Sequence, residues 1–218
     1  VETPVILHVG LTGGLASGKS TVSRTLAALG CVTIDTDAVV ARLYRPGAAG
    51  HEALVRFYGR HILRPDGEID RQKVAGIAFA NDEEAKKLNQ LIHPLVLAEQ
   101  ERIMAAETAR FPDRDRIFVV EATLLLESGA KQRSDKIVVV DADPSTQIER
   151  AVKRGMDRAD AERRLAQQMR REDRLKMADY VIDNSGDPRR TEVETHRVFE
   201  SLRRDLDEKK AATLRPAT

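Results

Sequence analysis

The chain has 218 residues, 41% of them apolar and 33% charged, with 36 Lys and Arg against 35 Asp and Glu for a formal net charge of +1. This composition excludes wholesale disorder, and the near-neutral balance excludes a global field that would steer the chain to nucleic acid or an anionic membrane. One compact domain with insertions is expected at this length. The single cysteine, Cys31, cannot form an internal disulfide, and the chain opens on no charged segment followed by a cleavable apolar stretch. Val5 to Leu11, broken by His8 and Gly10, is far short of the ~18 residues a spanning helix needs, so a cytoplasmic protein with no membrane span is expected.

In chain order, Val5 to Leu11 reads as a strand, followed by a glycine-rich turn and a helix from Lys19 to Leu29. Val32 to Asp35 is the second strand, with a helix over Ala38 to Tyr44. From about 46 to 110 no strand pattern occurs; Pro65, Asp66 and Gly67 mark a turn, and Asp82, Glu83 and Glu84 open a long helix, so a helical insertion is expected. Ile117 to Glu121 and Ile137 to Asp141 are further strands, and Ser145 to Arg154 a helix. Residues 150 to 176 carry ten Lys or Arg against five Asp or Glu, a local charge of +5, and read as a charged helix pair forming a lid. Tyr180 to Asp183 is the last strand and Asp187 to Asp207 the last helix. The folded domain is expected over 1–208, with 209–218 a disordered tail because few apolar anchors remain. Near-continuous β-branched runs alternating with helices predict the α/β class, a five-stranded parallel sheet buried on both faces.

The sharpest motif is GGLASGKS, Gly13 to Ser20, which fits the phosphate-binding loop pattern and sits between the first strand and the first helix, as the mechanism requires. Glycines let backbone amides turn inward around phosphate oxygens, and the positive end of the following helix favours the bound anion. The expected nucleotide cradle runs through Gly14, Leu15, Ala16, Ser17, Gly18, Lys19, Ser20 and Thr21. Lys19 would neutralise the β- and γ-phosphates of ATP and the Ser20 hydroxyl would ligate magnesium. Asp35, Thr36 and Asp37 end the second strand, at the sheet edge where ligands bind in open α/β folds. A carboxylate there suits a general base for an attacking hydroxyl, and equally suits a helix N-cap; the residues alone leave both readings open.

With those residues placed, VGLTGGLASGKSTV and CVTIDTDAVVARL resemble the opening of dephospho-coenzyme A kinases, a family of small-molecule kinases built on the phosphate-binding loop. GEIDRQKVAGIAFAND (67–82), LNQLIHPLV (88–96), TLLLESG (123–129), Arg150 with Arg154, RLAQQM (164–169) and ADYVIDNSG (178–186) resemble family blocks in the same order. The resemblance implies a kinase core with a helical acceptor-binding region and a lid, and transfer of phosphate from ATP, with Mg2+, to the ribose 3′-hydroxyl of dephospho-coenzyme A. It implies Asp37 as general base, Asp35 at the magnesium, and Arg150 and Arg154 as lid arginines on the phosphates. Arg164 and Gln168, four residues apart and so on one face of a predicted helix, would shape the closed lid over substrate. Asp183 and Asn184 would lie on the adenine side of ATP, and Arg71, Asn89 and His93 would bind the acceptor.

Two departures stand out. Ala16 replaces a glycine common in the family, tolerable if its φ is negative and costly otherwise. Glu121, Ala122 and Thr123 replace an Asp-x-Pro turn, so Glu121 is given no magnesium role. Rival readings are another small-molecule kinase, of nucleoside monophosphate or shikimate type, and a non-catalytic nucleotide switch; the guanine-reading Asn-Lys-x-Asp motif is absent, against the switch. Nucleic-acid binding is not expected, because 150–176 holds no aromatic residue for base stacking. A monomer or weak homo-oligomer is expected.

Overall fold

A computed structural model describes residues 4–78 and 80–214. In order, the elements are β1 (Ile6–Gly13), α1 (Lys19–Ala28), β2 (Val32–Asp35), α2 (Thr36–Leu43), α3 (Ala49–Tyr58), α4 (Arg71–Ala78), α5 (Asp82–Arg110) and β3 (Arg116–Glu121). They continue with β4 (Lys136–Asp141), α6 (Pro144–Lys153), α7 (Arg158–Gln167), α8 (Arg171–Lys176), β5 (Tyr180–Asp183) and α9 (Pro188–Thr213). The strands form one five-stranded parallel sheet in the order β2-β3-β1-β4-β5. Each predicted strand is present to within two residues at either end, because strands buried on both faces write an unbroken apolar signal.

β1 lies between β3 and β4, with Val9 opposite Val119 on one side and Gly10 opposite Ile137 on the other. Leu7, Val9 and Leu11 pack with Val22 and Leu26 of α1 and Val198 and Leu202 of α9 in a core layer that also takes in Val119, Val140 and Ile182. A second cluster joins Ile137 and Val139 to Leu125 and Leu126, with Met169, Leu175 and Met177 packed against it. α8 and its flanks are therefore tied to the strand ends by apolar contact.

The chain divides into two compact units, one running to Ile34 and resuming at Phe111, the other comprising Asp35–Arg110. The helical unit starts about ten residues before the insertion expected at 46, since α2 packs on α5 within it. Gln100 Nε2 donates to Thr36 Oγ1 at 3.0 Å, and Arg42 pairs with Glu99. Val39, Leu43, Leu54, Ile62, Ile69, Val74, Ile92 and Val96 are the buried apolar side chains among its described residues. α5 is 29 residues long and carries Pro94 in its interior, where a proline removes one helical N–H donor.

The tail expected from 209 onward needs correction. α9 continues to Thr213, and its end is tied down by ion pairs of Lys209 with Asp135 and Lys210 with Asp115, each at 2.7 Å. Lys210 and the Val5 N–H hold the Asp115 carboxyl below the ordinary range. Residues 215–218 of that expected tail lie outside the described residues.

Candidate functional site

β1 delivers the chain to Gly13, and the loop that follows turns back into α1 through Gly18, the helix N-cap, at φ 97°. A left-handed N-cap with no side-chain cap and no acid in the first turn leaves the positive end of α1 un-neutralised. Lys19 Nζ donates to the carbonyls of Gly13 (3.1 Å) and Gly14 (3.4 Å), so the ammonium lies along the loop. Ala16 has φ 51°, the only positive φ of a non-glycine residue among the described residues. Of the two cases open at this position the costly one holds: the loop turns through the left-handed region, and Ala16 bears the cost of its Cβ.

The loop is braced by side chains distant in sequence. Asn184 Nδ2 donates to Ser17 O at 2.6 Å while its Oδ1 accepts from Thr191 Oγ1 at 2.9 Å. A Cβ on Gly18 would overlap Asn184 Nδ2, so glycine is required there by space as well as by φ. Gln168 Oε1 accepts the Leu15 N–H at 2.9 Å. Gln147, 2% exposed, donates to Ala142 O at 2.6 Å and keeps a buried Oε1 without a partner against Gly14. Arg171 grips both oxygens of buried Asp141, at the end of β4, at 2.7 to 3.1 Å. Gln147 and Arg171 were not singled out from sequence. Arg171 is one of ten cations in its stretch, and nothing local distinguishes the one that reaches a strand-end carboxylate.

Beside the start of α1 lies a cavity of about 490 Å³ lined by Gly18, Thr21, Arg150, Arg154, Asn184 and Thr191, among others. One terminal nitrogen of Arg150 is buried there without a hydrogen-bond partner. A second cavity, about 460 Å³, is bounded by Leu15, Ala16, Arg154 and Asp160. Guanidinium groups next to an uncapped helix end form an anion site. Of the predicted residues, Arg150, Arg154, Gly18, Thr21 and Asn184 meet at the first cavity.

Others do not meet as expected. Arg164 and Gln168 do not share a helix face: α7 ends at Gln167, and Gln168 is its extended C-cap (ψ 162°), which frees the side chain to reach Leu15. Arg164 pairs instead with Asp160 at 3.1 Å. Asp183 is absent from the cavity wall; its carboxylate accepts the Ser185 N–H at 2.9 Å, which holds its pKa low, and closes the strand-ending turn. Four of the ten cations of 150–176 pair with acids already counted in the +5, Arg163 and Arg164 on Asp160 and Arg170 and Lys176 on Asp173, while Arg171 pairs outside the stretch with Asp141 and Asp143.

In the helical unit, Asp35 is the N-cap of α2, its Oδ1 accepting the N–H groups of Asp37 (2.8 Å) and Ala38 (3.1 Å). The capping reading therefore holds for Asp35, whereas Asp37 lies exposed in the first turn. Arg71 opens α4 close enough to Tyr44 to oppose the upward shift that burial imposes on the Tyr44 hydroxyl. Asn89 and His93 occupy one face of α5, four residues apart. Glu121 ends β3 in register with Leu11 of β1. No group of three or more metal-ligating side chains occurs among the described residues. Magnesium does not require one, since it is commonly held by one or two protein oxygens with water and phosphate. The exposed Ser20 hydroxyl, at the start of α1, fits that pattern.

The sequence profile described as Dephospho-CoA kinase matches residues 7–189. A dephospho-CoA kinase of Aquifex aeolicus is 40% identical over 198 residues, covering 91% of this chain and 98% of its own. One from Streptomyces avermitilis is 43% identical over 180 residues, 82% of this chain and 85% of its own. The solved structure of TT1252 from Thermus thermophilus aligns with a TM-score of 0.77 at 28% identity, covering 92% of this chain and 98% of that one. Among the described residues no helix is long and apolar enough to cross a membrane.

Proposed function

The chain belongs to the dephospho-CoA kinase family, and from that premise we propose how its residues divide the work of ATP-dependent phosphorylation of dephospho-CoA, the coenzyme A-forming reaction. The acceptor atom is the ribose 3′-hydroxyl oxygen, and the setting is the cytoplasm. The reading rests on one observation above all: an uncapped α1 N-terminus with Lys19 alongside it opens onto the cavity that Arg150 and Arg154 line.

Phosphoryl transfer needs positioning and charge neutralisation more than covalent help, because its transition state is loose. The loop amides from Gly14 to Thr21 hold the phosphates. Lys19 exchanges its Gly13 and Gly14 carbonyls for the β- and γ-phosphate oxygens. Arg150, with a buried nitrogen lacking a protein partner, and Arg154 neutralise charge that builds up in the transition state. The Asn184 wall takes the adenosine end. Magnesium would be held by the Ser20 hydroxyl with Asp35 in support, and would supply charge neutralisation at the phosphates. Asp37 accepts the proton of the acceptor hydroxyl, and Arg71, Asn89 and His93 hold the acceptor. Gln168, already on a loop amide, links residues 150–176 to the phosphate loop as a lid that excludes water.

Mass spectrometry of products from ATP, magnesium and either dephospho-CoA or a panel of nucleoside monophosphates and shikimate tests this reading. Coenzyme A formed selectively is the expected outcome. Phosphorylation of a different acceptor, or ADP with no phosphorylated acceptor, would overturn the substrate assignment while leaving the phosphate loop intact.

A further inference from the structure

Arg174 on α8 is 5% exposed, a guanidinium taken almost wholly out of water. Its Nη2 donates to Met169 O at 2.7 Å, and it makes no ion pair among the described residues. The two acids that act on it electrostatically are Glu127 and Asp141, and both are committed elsewhere. Glu127 accepts the Met169 N–H at 3.0 Å, and Asp141 is held through both oxygens by Arg171. Burial accordingly pulls the Arg174 pKa downward. A buried cation with no carboxylate in direct contact costs more than one hydrogen bond returns.

Position explains what that cost obtains. The other terminal nitrogen, Nη1, lies 3.0 Å from where a Cβ on Gly14 would stand, with Gln147 Oε1 nearer still, so the charge sits beside the phosphate loop. Gln147 Oε1 abuts the same point and has no partner. The bare flank of Gly14 is what brings the guanidinium this close to the loop.

We propose that Arg174 is a charge-stabilising residue for the bound nucleotide, complementing the polyphosphate held on the far side of Gly14. It acts through the electrostatic field across the loop backbone. The inference rests on the phosphate-loop reading above. Its strength grows with the number of phosphate charges, which separates it from a packing role.

The test compares Arg174→Met, neutral and of similar reach, with Arg174→Lys, which keeps the charge. Melting without nucleotide and calorimetric titration with ATP, AMP and inorganic phosphate are the readouts. Expected for Arg174→Met are a melting temperature equal to or above wild type and an ATP affinity lower by about tenfold or more, ~1.4 kcal/mol. AMP affinity should change by less than about threefold, and Arg174→Lys should bind ATP within about threefold of wild type. Inorganic phosphate binding that weakens as much as ATP binding would assign Arg174 to a free-anion site and overturn the proposal. A Met variant that melts lower with ATP affinity unchanged, or one that does not fold, would make Arg174 a structural residue and overturn it too. Wild-type protein that fails to bind ATP would instead sink the phosphate-loop reading itself.

Discussion

Two helix N-termini in this molecule, those of α1 and α2, follow the C-terminal ends of the parallel strands β1 and β2 and end up opposite in character. α2 is capped by its own sequence: Asp35 takes two backbone N–H groups, and Asp37 adds a carboxylate in the first turn. α1 begins at a left-handed Gly18 with no side-chain cap and no acid, and its first residue is a lysine. A capping side chain contributes ~0.5–2 kcal/mol, and an acid in the first turn adds a few tenths more. α7 and α9 are likewise capped by Asp157 and Asp187, whereas α3, α6 and α8 share with α1 the lack of a side-chain cap; the left-handed glycine N-cap followed at once by a lysine is what sets α1 apart. Stability left unclaimed at one helix end is what a phosphate can later supply, which is how a binding site and a stable fold come to compete.

The comparison can be sharpened first on the capped side. Asp37→Asn leaves the cap in place, because the Asp37 backbone N–H is what Asp35 accepts. If Asp37 is the general base, turnover should fall by ~10²–10⁴ while ATP affinity and melting temperature hold; rapid-quench turnover with parallel ATP titration measures both, and turnover near wild type would remove Asp37 from catalysis. On the uncapped side, Gly18→Ala forces a Cβ into a φ of 97° and into Asn184 Nδ2, breaking its 2.6 Å bond to Ser17 O. ATP affinity should fall by roughly a hundredfold, the scale of ~2–3 kcal/mol from strain and a lost buried hydrogen bond together. Affinity retained in Gly18→Ala would mean that the loop does not need the geometry it has.

The contrast also separates what the sequence made legible from what it did not. The strands and the loop were readable because their signals are local: an unbroken β-branched run, and glycines at fixed offsets ahead of Lys19. Asp35 and Asp37 were visible as a pair, but which one caps depends on the φ/ψ of residue 35, and composition does not encode that. The braces of the loop were illegible for a different reason. Asn184 is 167 residues from Ser17, and Gln168 is 153 from Leu15. Gln168 was noticed through the family resemblance of RLAQQM and was placed on a helix face with Arg164, whereas its extended backbone is what allows the contact. The end of α9 was missed likewise, since Asp115 and Asp135 lie far from Lys210 and Lys209 in sequence.

A milder change tells capping from metal support at Asp35. Asn caps about as well as Asp, so Asp35→Asn should keep the melting temperature while Asp35→Ala loses ~1 kcal/mol, readable in a denaturant melt. If Asp35 also supports magnesium, both variants should need more magnesium for half-maximal activity. A magnesium requirement unchanged in both would leave Asp35 with the cap alone.

The smallest expected effect belongs to Ala16, on the uncapped side. Its φ of 51° puts Cβ against the following carbonyl, a cost of ~1–2 kcal/mol that glycine escapes. Ala16→Gly also loosens the unfolded chain, which takes back ~0.4–1 kcal/mol. The difference of these two terms favours the variant by ~0–1.6 kcal/mol in a denaturant melt. Ligand binding supplies the sharper reading, because an alanine confined to the small left-handed region is more pre-organised than a glycine free to leave it. If the loop must already hold its turn before phosphate arrives, Ala16→Gly should melt at or above wild type and yet bind ATP about twofold more weakly. Tighter ATP binding would instead mean that the strain at Ala16 opposes the bound geometry, and that the glycine this chain has given up would serve the nucleotide better.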